Sequence, residues 1–380
     1  MFLEASGTVM ADRRITIEIT DDVAALGRTW CECESAWASP AYQRHAFVET
    51  WARHVAPTLG LEPRILVGRL GSEPVFILPL AFKSGLVPLL VQLSDSHSNV
   101  NGGLFSPSLD PAFGNLAERA LSLVPEAEGI ELTCLPEAVA ARYALRSTPH
   151  IHDAFAASLE GGMDGFLSRN SGRRKRKKHR RSERVFAEAG GWAVERARTP
   201  HDVRAFLEYT LDRMARRLAS DGVDDPFAAP GVADFFREAA IRSLGDERPA
   251  FAMWRLTVAG QTLAVQGGGC GGDTFSLMFT TYEPNVFDTE SPGEFLMHEL
   301  YARAASAGMT TFDLGRGRER HKVSWTDGPV PLRDVRVGLT AKARALLKSR
   351  EVISTTKRRI RDDDRLWKAV KAVRSRLARG

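Results

Sequence analysis

The sequence is poor in cysteine, has no long apolar run, and contains no complete hydrolytic or metal-binding set. Its 380 residues hold only four cysteines, Cys31, Cys33, Cys134 and Cys270, and none has metal-ligand spacing. A disulfide scaffold is excluded, and a reducing compartment is expected. The most apolar stretches, residues 75–82 and 86–93, fall far short of the roughly 20 residues that span a bilayer. The segment Met1 to Arg14 carries Glu4, Asp12, Arg13 and Arg14 and no apolar signal core. A soluble, cytoplasmic protein is expected. No Ser-His-Asp set assembles, and no metal site is assigned. The glycines of residues 267–272 lack the Gly-Lys-Ser/Thr that completes a phosphate loop, and they read as a tight turn.

What is present is a globular composition, 43% hydrophobic and 26% charged, on a chain long enough for two domains. The net charge of +5 is unevenly placed. Residues 168–184 hold ten Lys/Arg against one acid, and residues 341–380 hold fourteen against four. Local charges of +9 and +10 within a total of +5 leave the rest at −14, an acidic body with two basic segments. The first segment reads as a solvated or acceptor-steering helix. Nucleic-acid binding is the alternative, although no aromatic residue interleaves for base stacking. The second places Leu366, Trp367, Val370, Val373 and Leu377 on one helical face. That suits a basic helix at a membrane surface or a helix packed on its own domain.

Hydrophobic patterning gives the same order, β-β-β-α-β, in both halves. The first set is residues 64–70, 75–82 and 86–93, a helix over 111–123, and a strand over 130–135. The second is residues 251–257, 261–266 and 274–282, a helix over 291–306, and a strand over 310–314. The fold class expected is α/β (α+β), with two lobes, each a mixed, mostly antiparallel sheet flanked by helices. The lobes are assigned to residues 1–160 and 161–340, followed by a basic helical tail at 341–380.

The stretch 274–322 carries the chemistry. Ser291-Pro292-Gly293-Glu294 reads as a capping box with proline at the first helical position. Unpaired amides and the helix dipole make such a start a seat for a pyrophosphate, and Gly293 clears the approach. Asp313 closes the next strand on the face opposite Phe312 and Leu314, at the carboxyl end where open sheets gather ligands. Gly315-Arg316-Gly317-Arg318 and His321-Lys322 follow as a charged rim. His298 falls off the apolar stripe of its helix and reads as exposed, and Asp95 and His97 read as part of a turn.

The ordered set Tyr282-Glu283-Pro284, Ser291-Pro292-Gly293, Gly308, Asp313-Leu314-Gly315-Arg316-Gly317 and His321-Lys322 resembles the GNAT-superfamily acyltransferases. It is most similar to the cellulose- and exopolysaccharide-biosynthesis (CelD-like) subgroup, related to Fem-type aminoacyl transferases. Residues 169–190 look like that subgroup's arginine-rich entry helix. The resemblance implies tandem GNAT lobes, acetyl-CoA as acyl donor, and a sugar or envelope-precursor acceptor. It implies a thioester held where two strands splay, with the pyrophosphate on Phe287, Asp288, Thr289, Ser291, Gly293 and Glu294. This loop departs from the superfamily's R/Q-x-x-G-x-G/A in being acidic. In the chemistry so implied, Asp313 positions or deprotonates the nucleophile, Lys322 or Arg316 stabilises negative charge, and Tyr282 protonates the leaving thiolate. The alternatives are a Fem-like transferase using aminoacyl-tRNA, or a non-catalytic basic binding module.

Overall fold

The computed structural model describes residues 15–37, 39–110, 113–221 and 225–363. The first half forms β1 (Thr16–Thr20), α1 (Gly27–Ala36), α2 (His45–His54), β2 (Leu61–Leu70), β3 (Glu73–Lys83) and β4 (Leu89–Gln92). It continues with β5 (Leu104–Phe105), α3 (Leu116–Leu123), β6 (Gly129–Pro136), α4 (Glu137–Tyr143), β7 (Thr148–Pro149) and β8 (Ala154–Ser158). The second half forms α5 (Gly162–Arg169), α6 (Gly172–Glu188), β9 (Trp192–Arg196), α7 (Pro200–Asp221) and α8 (Val232–Arg242). There follow β10 (Ala252–Val258), β11 (Gln261–Gly271), β12 (Thr274–Tyr282), α9 (Pro292–Ser306) and β13 (Thr311–Arg316). The described chain closes with α10 (Arg320–Ser324), β14 (Gly328–Val330), β15 (Leu332–Gly338) and α11 (Ala341–Asp362). The β-β-β-α-β order is present in both halves. The tail residues Leu366, Trp367, Val370, Val373 and Leu377 lie outside the described residues.

Two sheets result, each mostly antiparallel with one parallel pair. The first runs β1-β2-β3-β4-β6-β15-β7, with β5 on β3, and the second β14-β8-β13-β12-β11-β10-β9. The parallel pairs, β4 with β6 and β12 with β13, each span three residues and occupy equivalent places. The halves also trade strands. β8 comes from the first half and pairs with β13 and β14 in the second sheet. β15 comes from the second half and pairs with β6 and β7 in the first. The division at residues 160 and 340 therefore does not follow the sheets. It leaves each sheet without a strand that the other half supplies.

The largest buried cluster also straddles the halves. Trp30, Phe47, Trp51 and Ile65 pack with Phe235, Phe236, Phe251 and Phe279. Phe47 meets Phe235 edge to face at 5.0 Å between centroids, a favoured aromatic geometry. Beside them α2 and α8 are joined through Glu238, which binds Arg53 at 2.7 Å and His54 at 2.5 Å.

The glycine cluster is not a turn. Residues 267–271 belong to β11 and pair with β12, and the chain reverses only at Gly272, with φ +55°. The run is glycine because neighbours fill the space of its side chains. A Cβ on Gly267 would lie 2.4 Å from the Phe279 ring, and one on Gly271 would lie 2.1 Å from the backbone nitrogen of Ala41 in the first half. Glycine lets that strand touch the other lobe's backbone.

Removal of either exchanged strand uncovers a sheet interior. A fragment of residues 161–340, which lacks β8, is expected to give no cooperative denaturation transition and to elute as aggregate. The full chain is expected to unfold in one transition. A folded, monomeric fragment with native-like circular dichroism would contradict the interlocked arrangement.

Candidate active site

The second sheet opens where its parallel pair ends. β12 and β13 are in register only at Thr274–Thr311, Phe275–Phe312 and Ser276–Asp313. Beyond Ser276, β12 stays paired with β11 out to Tyr282, while β13 turns away at Gly315, with φ +72°. A Cβ at Gly315 would lie 2.3 Å from the Asn99 side chain of the first lobe, so glycine is required there for the turn and for the contact. A cleft of about 680 Å3 lies beside the far end of β12, lined by residues of β11, β12, α9 and the segment that follows β13.

One wall of that cleft is the end of β12 and the start of α9, with Thr280, Tyr282, Gly293 and Glu294. The facing wall is Glu319 and His321, and Gln266 and Arg217 also line it. Five of the residues singled out in the sequence meet here: Tyr282, Asp288, Ser291, Gly293 and Glu294. Phe287 instead packs edge-on against Phe186, and Thr289 is exposed. Gln266 is buried; its amide donates to Thr280 Oγ1 at 3.1 Å and to the Gly293 carbonyl at 3.0 Å. Its oxygen has no partner, so an acceptor is left at the cleft wall. Burial, with the Lys322 charge beside it, holds His321 below the usual imidazole value. At neutral pH it is therefore a base.

The capping box does not form. Ser291 sits in the left-handed region, φ +53°, and its hydroxyl donates to the Asp288 carbonyl at 3.2 Å rather than capping α9. Lys178 Nζ on α6 donates to Ser291 Oγ at 2.8 Å and to Glu294 Oε2 at 2.7 Å, while Ser182 Oγ donates to the Glu290 carbonyl at 3.0 Å. The basic helix is thus laid across the start of α9. Lys175 is buried, with its ammonium 5.3 Å from the Trp325 ring centroid. Ser182 and Phe186 are buried too, so α6 is not fully solvated.

His298 is likewise half-buried, not exposed. Its ring stacks on His179 at 3.7 Å, and His179 bonds Glu299 at 3.0 Å. The His179 hydrogen bond, with His298 beside it, holds Glu299 at about 2 against its burial. Among the described residues this is the one group that brings three candidate metal-ligand atoms within 4.8 Å of one another. Stacked imidazoles present their nitrogens side by side, which suits a helix-to-helix clamp.

The remaining catalytic candidates sit apart from Tyr282. Phe312 stacks on Tyr301 of α9, so Asp313, on the opposite face of β13, points to the lobe junction. There it lines a separate cavity of about 240 Å3 with Tyr42 and Ser276. Burial pushes the Asp313 carboxyl up, against hydrogen bonds from the Gly315 amide at 2.7 Å and from Ser276. Lys322 is tied to the Arg316 carbonyl at 2.5 Å and to Glu319 at 3.1 Å. Arg316 crosses into the first lobe and donates to Cys134 Sγ at 2.9 Å. The sequence placed Asp313 and Tyr282 on one thioester; the geometry divides them between two cavities.

Arg316 ends a buried polar chain that sequence reasoning missed. Cys134 Sγ lies 3.4 Å from His150 Nε2, and His150 Nδ1 lies 2.7 Å from Asp334 Oδ1 on the exchanged β15. Asp334 also accepts from the Cys134 amide at 3.3 Å, holding Cys134 at φ +58° where the β6–β15 register shifts. Asp95, in the turn predicted for it, accepts from Thr133 at 2.7 Å and from Asn101 at 2.5 Å. His97 is packed between Trp51 and Phe235, and burial lowers it to about 4. The alternation of charged residues with Val335 and Val337 could have marked β15 as a strand, but nothing local names its partner.

β12, α9 and β13 form a strand–helix–strand unit whose parallel strands part after three paired residues. Residues 173–323 match the family model of the acetyltransferase (GNAT) domain. No curated protein matches the chain. FemX aligns with a TM-score of 0.56 at 12% identity over 81% of this chain and 95% of that one. The L-PGS of Bacillus licheniformis gives 0.54 at 11% over 85% and 96%. The C-terminal domain of a putative lysylphosphatidylglycerol synthetase from Agrobacterium fabrum gives 0.52 at 11% over 88% and 96%. At these identities the likeness is one of fold.

The junction makes a pH prediction. Burial alone would lower His150, but its hydrogen bond to Asp334 and the Cys134 contact outweigh that and raise it to about 9. A folded value above the unfolded one gives stability that is full below about 6.5 and is lost as pH rises through about 9. Urea denaturation is expected to show a loss of up to about 3 kcal/mol between pH 6.5 and 9.5. In Asp334→Asn this slope should largely vanish; an unchanged slope would exclude the pair as its source.

Proposed function

We propose that the chain is a GNAT-type acyltransferase that moves an acetyl group from acetyl-CoA to an amine or hydroxyl of a sugar or envelope-polysaccharide precursor. The observation that carries this reading is the parting of β12 from β13 after three paired residues, beside a cleft that holds a neutral base and a tyrosine hydroxyl. A thioester arm fits between the parted strands. His321 takes the proton from the acceptor N–H or O–H as the nitrogen or oxygen adds to the thioester carbonyl carbon. Collapse of the tetrahedral species breaks the C–S bond, and Tyr282 gives its proton to the leaving thiolate. Proton return from imidazolium to tyrosinate through solvent resets the pair. Asp313 and Arg316 belong to the lobe junction and serve position rather than proton transfer.

A Fem-like reading with aminoacyl-tRNA as donor is favoured by one observation, that the start of α9 is met by acids, one of them, Glu294, already paired with Lys178. Asp288 and Glu294 stand where a pyrophosphate would meet the helix start. In either reading the protein acts inside the cell. Among the described residues no helix is long and apolar enough to cross a membrane. The basic α11, with Val352 and Ile353 exposed, would supply peripheral contact with the inner membrane face.

Calorimetric titration with acetyl-CoA is expected to give micromolar binding. Once an acceptor is found, His321→Ala should lower kcat by about 100-fold or more and Tyr282→Phe by about tenfold. Because the base must be neutral and its value is depressed, kcat/KM should rise through an apparent pKa below about 6.5 and then level off. Absence of acetyl-CoA binding would remove this donor and favour the aminoacyl-tRNA reading.

A further inference from the structure

A second cleft, of about 1070 Å3, lies on the far side of Glu319 from the cleft beside β12. Five arginines line it, Arg169, Arg174, Arg318, Arg320 and Arg361, against the single acid Glu319. Glu319 borders this cleft and the one beside β12. Arg169 and Arg361 are committed to protein partners. Arg169 donates to the Ser158 carbonyl at 2.8 Å, and Arg361 contacts His152 Nδ1 at 2.8 Å. Arg174, Arg318 and Arg320 have no acidic partner among the described residues, and all three are exposed. Glu319 is already paired with Lys322.

Three uncompensated guanidinium groups facing one concavity repel one another, and an anion relieves that cost. Their flat, forked donors match phosphate oxygens. The N-terminal end of α6 adds partial positive charge beside Asn170 and Ser171, which also line the cleft. His152, at the same wall, is held near 4 by burial and by the Arg361 charge, so it is a neutral polar group there. Three free arginines exceed what one monoanion neutralises, and they are enough to neutralise the two negative charges of a diphosphate diester. The contrast with the start of α9 is direct: acids occupy the GNAT pyrophosphate position, and unpaired arginines occupy this neighbouring cleft.

We infer that the cleft of Arg174, Arg318 and Arg320 binds the diphosphate of a small-molecule substrate, whose reactive end passes Glu319 into the cleft beside β12. Two sources share that chemistry, a CoA-type donor and a nucleotide-linked acceptor. The inference rests on the acyl-transfer reading, and the two failures are told apart because pyrophosphate and UDP binding and the arginine variant report on this cleft alone, whereas acetyl-CoA binding reports on the donor.

The test is titration of the full chain with inorganic pyrophosphate, UDP and CoA. It is run on the native protein, on Arg174→Gln/Arg318→Gln/Arg320→Gln, and on the charge-matched control Arg28→Gln/Arg146→Gln/Arg204→Gln. Circular dichroism and Tm verify that the variants are folded. Pyrophosphate and at least one of UDP and CoA are expected to bind the native protein, with affinity falling about tenfold or more in the cleft variant and less than about twofold in the control. Loss of CoA binding alone in the cleft variant identifies the donor as the source, and loss of UDP binding alone identifies a nucleotide-linked acceptor. Equal loss in both variants, no binding of any of the three, or binding of tRNA alone would overturn the assignment. If the triple variant fails to fold, the single variant Arg318→Gln, on an exposed loop, must still weaken pyrophosphate binding.

Discussion

The exchange of one strand in each direction between the sheets is the constraint on which the rest of the molecule depends. β8 leaves the first half to pair with β13, and β15 leaves the second half to pair with β6. The exchanged β15, and β13 against which β8 is laid, both bring chemistry to the junction. β15 carries Asp334, which binds His150 and fixes the irregular backbone at Cys134. β13 carries Arg316, which reaches Cys134 from the other lobe. A buried chain of polar groups of this kind is stable only while every member has its partner. Separation of the lobes would strand an arginine, a histidine and an aspartate together, so the junction is held by more than apolar area.

That fixed junction shapes the cleft. β13 is pinned on one side by β8 and at its end by the contact of Gly315 with Asn99, so it departs from β12 after three paired residues. The wedge follows from those two restraints. Charge is then distributed around it with a purpose visible in position. Part of the basic α6 is spent on Lys178, which neutralises Glu294 and shields the start of α9. The arginines left without partners gather on the other side of Glu319.

The sequence carried the local part of this design. Hydrophobic alternation and turn residues located β2, β3, β6, β10, β12 and β13 closely, because those signals act within a few residues. Tyr282 and the 288–294 loop were placed at a cleft by the order of their motifs. Pairing of β8 and β15 across the halves was not legible, because strand alternation states which face is buried and not which partner lies alongside. The glycine run of β11 looked like a turn because glycine favours turns. Its true cause, close approach of Phe279 and of the Ala41 backbone, exists only in three dimensions. Ser291-Pro292-Gly293-Glu294 had the letters of a capping box, and Lys178 from another helix captured both polar side chains. His298 followed the same course, since the face it occupies is covered by α6 rather than by water.

Native-state hydrogen exchange, read amide by amide across β6, β8, β13 and β15, tests the interlocked junction most directly. The account predicts that β8 and β15 exchange with opening free energies within about 1 kcal/mol of those of β13 and β6, as parts of one cooperative unit. Exchange of β8 or β15 at the level of surface loops, with β6 and β13 still protected, would contradict it.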